Sequence, residues 1–393
     1  MKYILALFFL FITVATQAQQ TDTVDYKTMT AVLNVKPEIK SVSGTVQVFF
    51  DVLKATDSIY LDAVNMEFDT VLLNEAKVKT YNDGKKLWII NDFKASKYHE
   101  LQFNYKVTPK KAMYFIGWDG SGDNQIWTQG QGKYTSHWLP SIDDMNDKIK
   151  FDFAITFDSN YQVIANGKLV SKIKNTDTTT WLYEMKKPMS SYLVALAIGK
   201  YNKKEEYSRN GIPIELYYYP KDSTKFEPTY RYTKTMFDYL ETEIGVSYPW
   251  QNYKQIPVKD FLYSGMENTS TTIFSDAFVI DSIAFVDKNY VNVNAHELAH
   301  QWFGDLVTET SGTHHWLQEG FATFYALLAE KKVFGEDYYY WRLYEYAQEL
   351  VVQERQDAHT ALLNPKSSST TFYKKGAVLL YMLKSKIGEE AFK

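Results

Sequence analysis

The 393-residue sequence contains no cysteine. That excludes a disulfide framework, a thiol nucleophile, a thiolate metal site and a lipidated N-terminal cysteine. Stability has to come from the buried core. Positive charge is not in excess either: 43 Lys and Arg stand against 47 Asp and Glu, and no block of cations stands out. The resulting net charge of −4 offers nucleic acid no electrostatic footing. Beyond the first twenty residues no apolar run approaches membrane-spanning length, so the mature chain is expected to carry no transmembrane segment. Internal repeats and low-complexity tracts are also missing.

What the sequence has in quantity is aromatic side chains, 16% of residues with 31 Tyr among them. This suits β-rich packing and a groove that handles side chains. The length allows about two or three domains. The opening "MKYILALFFLFITVATQAQQ" combines Lys2, an apolar run from Ile4 to Val14, and small residues at Thr16 and Ala18. That order reads as a signal peptide over residues 1–18, with export to the periplasm or secretion.

From about Val24 to Ile198 the apolar residues alternate. "TVQVFFDV" puts Val46, Val48, Phe50 and Val52 on one face, and "KIKFDFAITF" does the same with Ile149, Phe151, Phe153, Ile155 and Phe157. Turn signals such as Asn82-Asp83-Gly84 and Asn166-Gly167 separate the runs. The pattern predicts an N-terminal antiparallel β-sandwich over residues 19–205. "IPIELYYYP" from Ile212 is a strand that can already belong to the next unit. After Glu205 the period changes: Met236, Phe237, Leu240 and Ile244 recur at helical spacing and Gly245 stops them. Further helical stretches surround Ala295–Phe303, Trp316–Ala329, Asp337–Gln353 and Lys374–Ile387. The expected class is α+β, with a mainly helical second domain over residues 206–393.

The stretch "NVNAHELAHQWFG" places His296 and His300 four residues apart. On a helix they share one face, about one turn (~5.4 Å) apart, so both imidazoles can reach one metal ion. Glu297 points about 100° away around the helix, beside the metal without being a ligand. The competing view is a core helix with incidental histidines, but two histidines and an acid in an otherwise apolar helix are costly without a partner. Glu319 supplies that partner, since it lies in the apolar run "HHWLQEGFATF" and buried carboxylates are rare unless paired or metal-bound. Two His and one Glu form the open three-donor set of a catalytic zinc site. His314 and His315, in the polar connection "TSGTHH", are expected to be surface histidines.

The motif HExxH, then eighteen residues, then the Glu of "WLQEGFA", resembles the M1 family of zinc aminopeptidases. "SGMEN" (Ser264 to Asn268) is similar to that family's Gly-x-Met-Glu-Asn signature. "TQGQ" (Thr128 to Gln131) resembles its N-terminal-domain substrate segment, and "FYKKG" (Phe372 to Gly376) its tyrosine segment. These matches occur in the family's order. The resemblance implies a thermolysin-like catalytic domain with one zinc ion per chain held by His296, His300 and Glu319. It implies peptide hydrolysis by a zinc-activated water, Glu297 acting as general base and then acid and Tyr373 stabilising the oxyanion. Glu267 is implied as the anchor of a substrate's free α-ammonium, with Gln131, Gly265, Met266 and Asn268 completing the substrate site. The expected partner is thus a peptide with a free N-terminus. Two other readings stay open, a thermolysin-like endopeptidase and a catalytically weak zinc-containing peptide binder.

Three departures from the family pattern bear on this. Ser264 occupies the first glycine of the Gly-x-Met-Glu-Asn motif, Gln318 precedes the zinc glutamate where Asn is usual, and Gln131 stands where some members have an acid. The chain also stops at Lys393, twenty residues after Tyr373, which reads either as a fragment of the catalytic domain or as a protein that works with an open cleft.

Overall fold

The computed structural model describes residues 20–356 and 361–393. The leader expected over residues 1–18 lies outside them. The alternating segments form strands that bury the faces anticipated for them: Val46, Val48, Phe50 and Val52 are all 3% exposed or less, as are Ile149, Phe151, Phe153 and Ile155. These strands belong to a ten-stranded sheet whose centre runs Thr178–Glu184, Lys148–Asp158, Val24–Lys36, Ser41–Val52, Ser96–Val107. A three-stranded sheet and a four-stranded sheet complete the N-terminal half.

The large sheet is mixed, not purely antiparallel. Val24–Lys36 pairs parallel with Lys148–Asp158, with Thr28 opposite Lys150 and Asn34 opposite Thr156. Alternation tells which face a strand buries and says nothing about the direction of its neighbour. The long chain between these two strands returns the second one in the same sense, which no local pattern encodes.

The C-terminal half begins with a five-stranded sheet in the order Asn202–Tyr207, Pro213–Tyr218, Tyr253–Val258, Thr271–Ser275, Gly265–Met266. The junction expected near residue 205 falls within the first of these strands. Helices follow: Thr233–Ile244, closed by left-handed Gly245, then Val291–His300, Trp316–Phe334, Glu336–Gln356 and Gly376–Ile387. This is a mainly helical second half on a β-rich first half.

Polar contacts lock the two halves together behind the site. Trp127 donates its indole N–H to the Lys259 carbonyl at 2.9 Å, and Asn166 donates to the Thr269 carbonyl at 2.7 Å. Lys254, fully buried, donates to the carbonyls of Ala165 and Gly167, and burial lowers its ammonium to about 8. Lys148 donates to the carbonyls of Asp305 and Leu306, both at 2.8 Å. Buried polar groups carrying this many satisfied partners fix one relative orientation of the halves. The segment 128–131 of one half thereby keeps its place relative to the Val291–His300 helix of the other.

Candidate active site

The Val291–His300 helix packs against the Trp316–Phe334 helix. This crossing sets His296, His300 and Glu319 face to face. His300 Nε2 lies 3.0 Å from His296 Nε2, and Glu319 Oε2 lies 3.2 and 3.3 Å from those two nitrogens. Bonds of about 2.0–2.1 Å to one tetrahedral ion require donor separations of about 3.3 Å, so the triangle has the size zinc demands. It is the only cluster of three such donors among the described residues.

Each imidazole is oriented through its other nitrogen. His300 Nδ1 sits 2.8 Å from the Phe303 carbonyl, and His296 Nδ1 3.5 Å from Thr323 Oγ1. A ring that donates from Nδ1 presents an unprotonated Nε2, the form that binds a metal. The three donors are also coupled electrostatically. Burial opposes the charge on Glu319, but His300 and His296 outweigh it and hold its carboxyl well below the usual range. Burial lowers His296, whereas on His300 the carboxylates of Glu319, Glu267 and Glu297 overcome burial and raise it.

Glu297 is 6% exposed and faces Gly265. A Cβ on Gly265 would stand 2.4 Å from Glu297 Oε1, so the strand can pass this close only without a side chain. Burial raises the Glu297 carboxyl well above its ordinary range, and Glu267 and Glu319 add to this. Glu267 is 3% exposed, and its Oε1 has no hydrogen-bond partner. Burial raises its carboxyl, with Glu319 adding to this and His300 opposing it.

Tyr373 lies on a π-turn, Thr371–Lys375, with its ring stacked on His296 at 5.4 Å and 8°. Burial, reinforced by Glu319, holds its phenol far above the normal range, so it remains an O–H donor. Two glycines bring it there. A Cβ on Gly320 would stand 3.0 Å from the Cα of Gly376, and a Cβ on Gly376 2.9 Å from the Cα of Gly320. The "EGFA" and "YKKG" segments are therefore in backbone contact, which brings the tyrosine ring against His296.

These groups line one cavity of about 1,100 Å³ between the two halves. Gln131, Gly265, Met266 and Glu267 are on its walls with the three donors, Glu297 and Tyr373. Asn268 is not. It is fully buried and donates to the Leu193 carbonyl at 3.3 Å, anchoring the loop instead of facing the cavity. Ser264 is exposed with ordinary backbone, so the missing glycine leaves the strand undisturbed.

Three residues of the site were not singled out from the sequence, and a fourth was named but placed on the surface. Gln129 donates to Met266 Sδ at 3.3 Å and accepts from the Gln131 backbone. Gln301 donates to the Glu267 carbonyl at 3.0 Å while accepting from Ser270 N–H at 2.8 Å, pinning the "GMEN" loop to the metal helix. Thr323 orients His296. His315, expected on the surface, lines the cavity with its Nε2 3.4 Å from Glu319 Oε1. Its spacing of four residues from Glu319 on one helix was the available signal; its polar flanks concealed it.

The description "Peptidase M1 N-terminal domain" matches residues 23–193, and "Peptidase family M1 domain" matches residues 229–393. Aminopeptidase N of Lactobacillus helveticus is 25% identical over 394 residues, covering 92% of this chain and 45% of its own length. Glutamyl aminopeptidase of Bos taurus is 30% identical over 277 residues, covering 65% of this chain and 28% of its own. The chain thus spans less than half the length of these relatives. Among solved structures, an M1 zinc metallopeptidase from Deinococcus radiodurans superposes with a TM-score of 0.76 at 20% identity, covering 94% of this chain and 84% of that one.

Proposed function

The chain belongs to peptidase family M1, and from that premise we propose that it is a zinc-dependent aminopeptidase acting on peptides with a free N-terminus. His296, His300 and Glu319 hold the ion. Zinc, when bound, polarises the scissile carbonyl and makes water acidic enough to attack near neutral pH. Glu297 accepts the proton of the attacking water and returns it to the departing amine. Its burial against Gly265 keeps it dry and aimed at the cavity. Tyr373 donates its O–H to the developing oxyanion.

The observation that carries the reading is the carboxylate of Glu267 on the wall of the same cavity as the three metal donors. A substrate's α-ammonium would pair with it, and once it does only the first peptide bond reaches the metal donors. Gln131, across the cavity, adds a neutral acceptor. An endopeptidase has no use for such a buried acid, because it would meet an uncharged stretch of chain.

Glu267→Gln is expected to lower kcat/KM on aminoacyl-p-nitroanilides by on the order of 10²-fold, the cost of removing one partner of a buried charge pair. The parent chain should cleave the free-amine substrate and leave its N-acetylated counterpart intact. Equal cleavage of both would sink the aminopeptidase reading in favour of an endopeptidase.

Export is part of the same proposal. The leader pattern of residues 1–18 supports it, and no described helix is long and apolar enough to cross a membrane. Expressed with its leader in a bacterial host, the chain should yield a mature N-terminus at Gln19 by mass spectrometry. Retention of Met1 would count against a cleaved signal.

A further inference from the structure

The reaction drawn above leaves His315 without a task. It sits at the start of the Trp316–Phe334 helix, in helical backbone conformation, four residues before Glu319. The two oxygens of Glu319 face different ways. Oε2 lies between His296 and His300, at 3.2 and 3.3 Å from their Nε2 atoms, while Oε1 lies 3.4 Å from His315 Nε2. The other ring nitrogen of His315 is 3.0 Å from Glu309 Oε1, and its ring meets Phe372 edge-on at 5.3 Å.

Glu309 is itself held. It is 7% exposed, and its backbone N–H donates to Gln318 Oε1 at 2.9 Å. Gln318 in turn donates to the Tyr192 hydroxyl at 3.2 Å, in the N-terminal half. Gln318, which stands where the family pattern has Asn, thus bridges the Glu309 backbone and the Tyr192 hydroxyl. A continuous set of contacts runs Tyr192, Gln318, Glu309, His315, Glu319.

We infer that His315 is a positioning residue for the metal. Its ring stands against Oε1 of Glu319 on the side away from His296 and His300, so that the carboxylate offers the ion Oε2 alone, and Glu309 fixes the ring in that place. A ligating carboxylate left free can swing or turn to present both oxygens, which alters donor number and filling of the open coordination position. Partners of this kind are worth about 10–100-fold in metal affinity. The inference rests on the ligand assignment proposed above.

The test uses the full chain and zinc alone, with affinity measured by competition against a chelator of known strength. His315→Leu is expected to bind zinc about 10–100-fold more weakly. His315→Gln, which keeps a polar side chain beside Oε1, should recover part of that loss, and Glu309→Gln should fall between His315→Leu and the parent. Melting of the metal-free proteins should be unchanged, and the visible spectrum of the cobalt-substituted His315→Leu chain should shift as coordination changes. Glu319→Ala serves as the reference. If it loses zinc while His315→Leu binds as tightly as the parent, the ligand assignment stands and the role of His315 is overturned. A lower melting temperature of metal-free His315→Leu that accounts for the weaker binding would also overturn it, as a merely structural effect. If Glu319→Ala binds zinc like the parent, the ligand assignment itself falls, and the inference with it.

Discussion

Glu297→Gln is expected to keep one zinc per chain and lose about 10²–10⁴-fold in kcat, the range a positioned general base supplies. The substitution conserves size, so the close pass of Gly265 over the side chain is preserved, and none of the three metal donors changes. An amide cannot accept the proton of the attacking water. Substrate binding through Glu267 and Gln131 should be little affected, so KM should move far less than kcat. Metal analysis beside steady-state kinetics checks both halves. A variant that keeps full kcat would remove Glu297 from the reaction, and one that loses its zinc would make it a structural support of the centre.

The second large effect is expected at Tyr373. Tyr373→Phe removes one hydroxyl and leaves the ring stacked on His296. Loss of a single oxyanion donor costs about 10²–10³-fold in kcat. Because the contact strengthens only as the oxyanion forms, kcat and kcat/KM should fall together. Turnover within about threefold of the parent would show that the phenol plays no part in the oxyanion's stabilisation. The position of this hydroxyl depends on the Gly320–Gly376 contact, so any side chain at Gly376 should reach the same kinetic result by displacement, with a loss of stability that Tyr373→Phe lacks.

The metal donors were legible in the sequence because a helix converts a spacing of four residues into a shared face. His296 and His300 needed a third donor to decide the reading, and Glu319 was found because an acid in an apolar helix has to have a partner. The strands of the first half were legible for a similar reason: alternation at Val46–Val52 and Ile149–Phe157 is the period of a pleated strand with one buried face. The assignments of Glu267, Gln131 and Tyr373 came from motif resemblance, since an acid in a polar loop or one Tyr among 31 has no local signature.

Contacts between segments far apart in sequence were decided elsewhere. The parallel pairing of Val24–Lys36 with Lys148–Asp158, the inward turn of Asn268 away from the cavity, and the pinning of the "GMEN" loop by Gln301 all depend on chain return and packing. His315 shows the division most clearly. Its spacing to Glu319 is written in the sequence, but only burial against Phe372 and the approach of Glu309 turn a polar loop histidine into a partner of the metal carboxylate. Period and composition are local quantities and determine which faces are buried and which donors share a face. The partner each side chain meets across a tertiary contact is set by the packing of the whole core, and that is where the place of Glu267 on the cavity wall and the surroundings of Glu319 were decided.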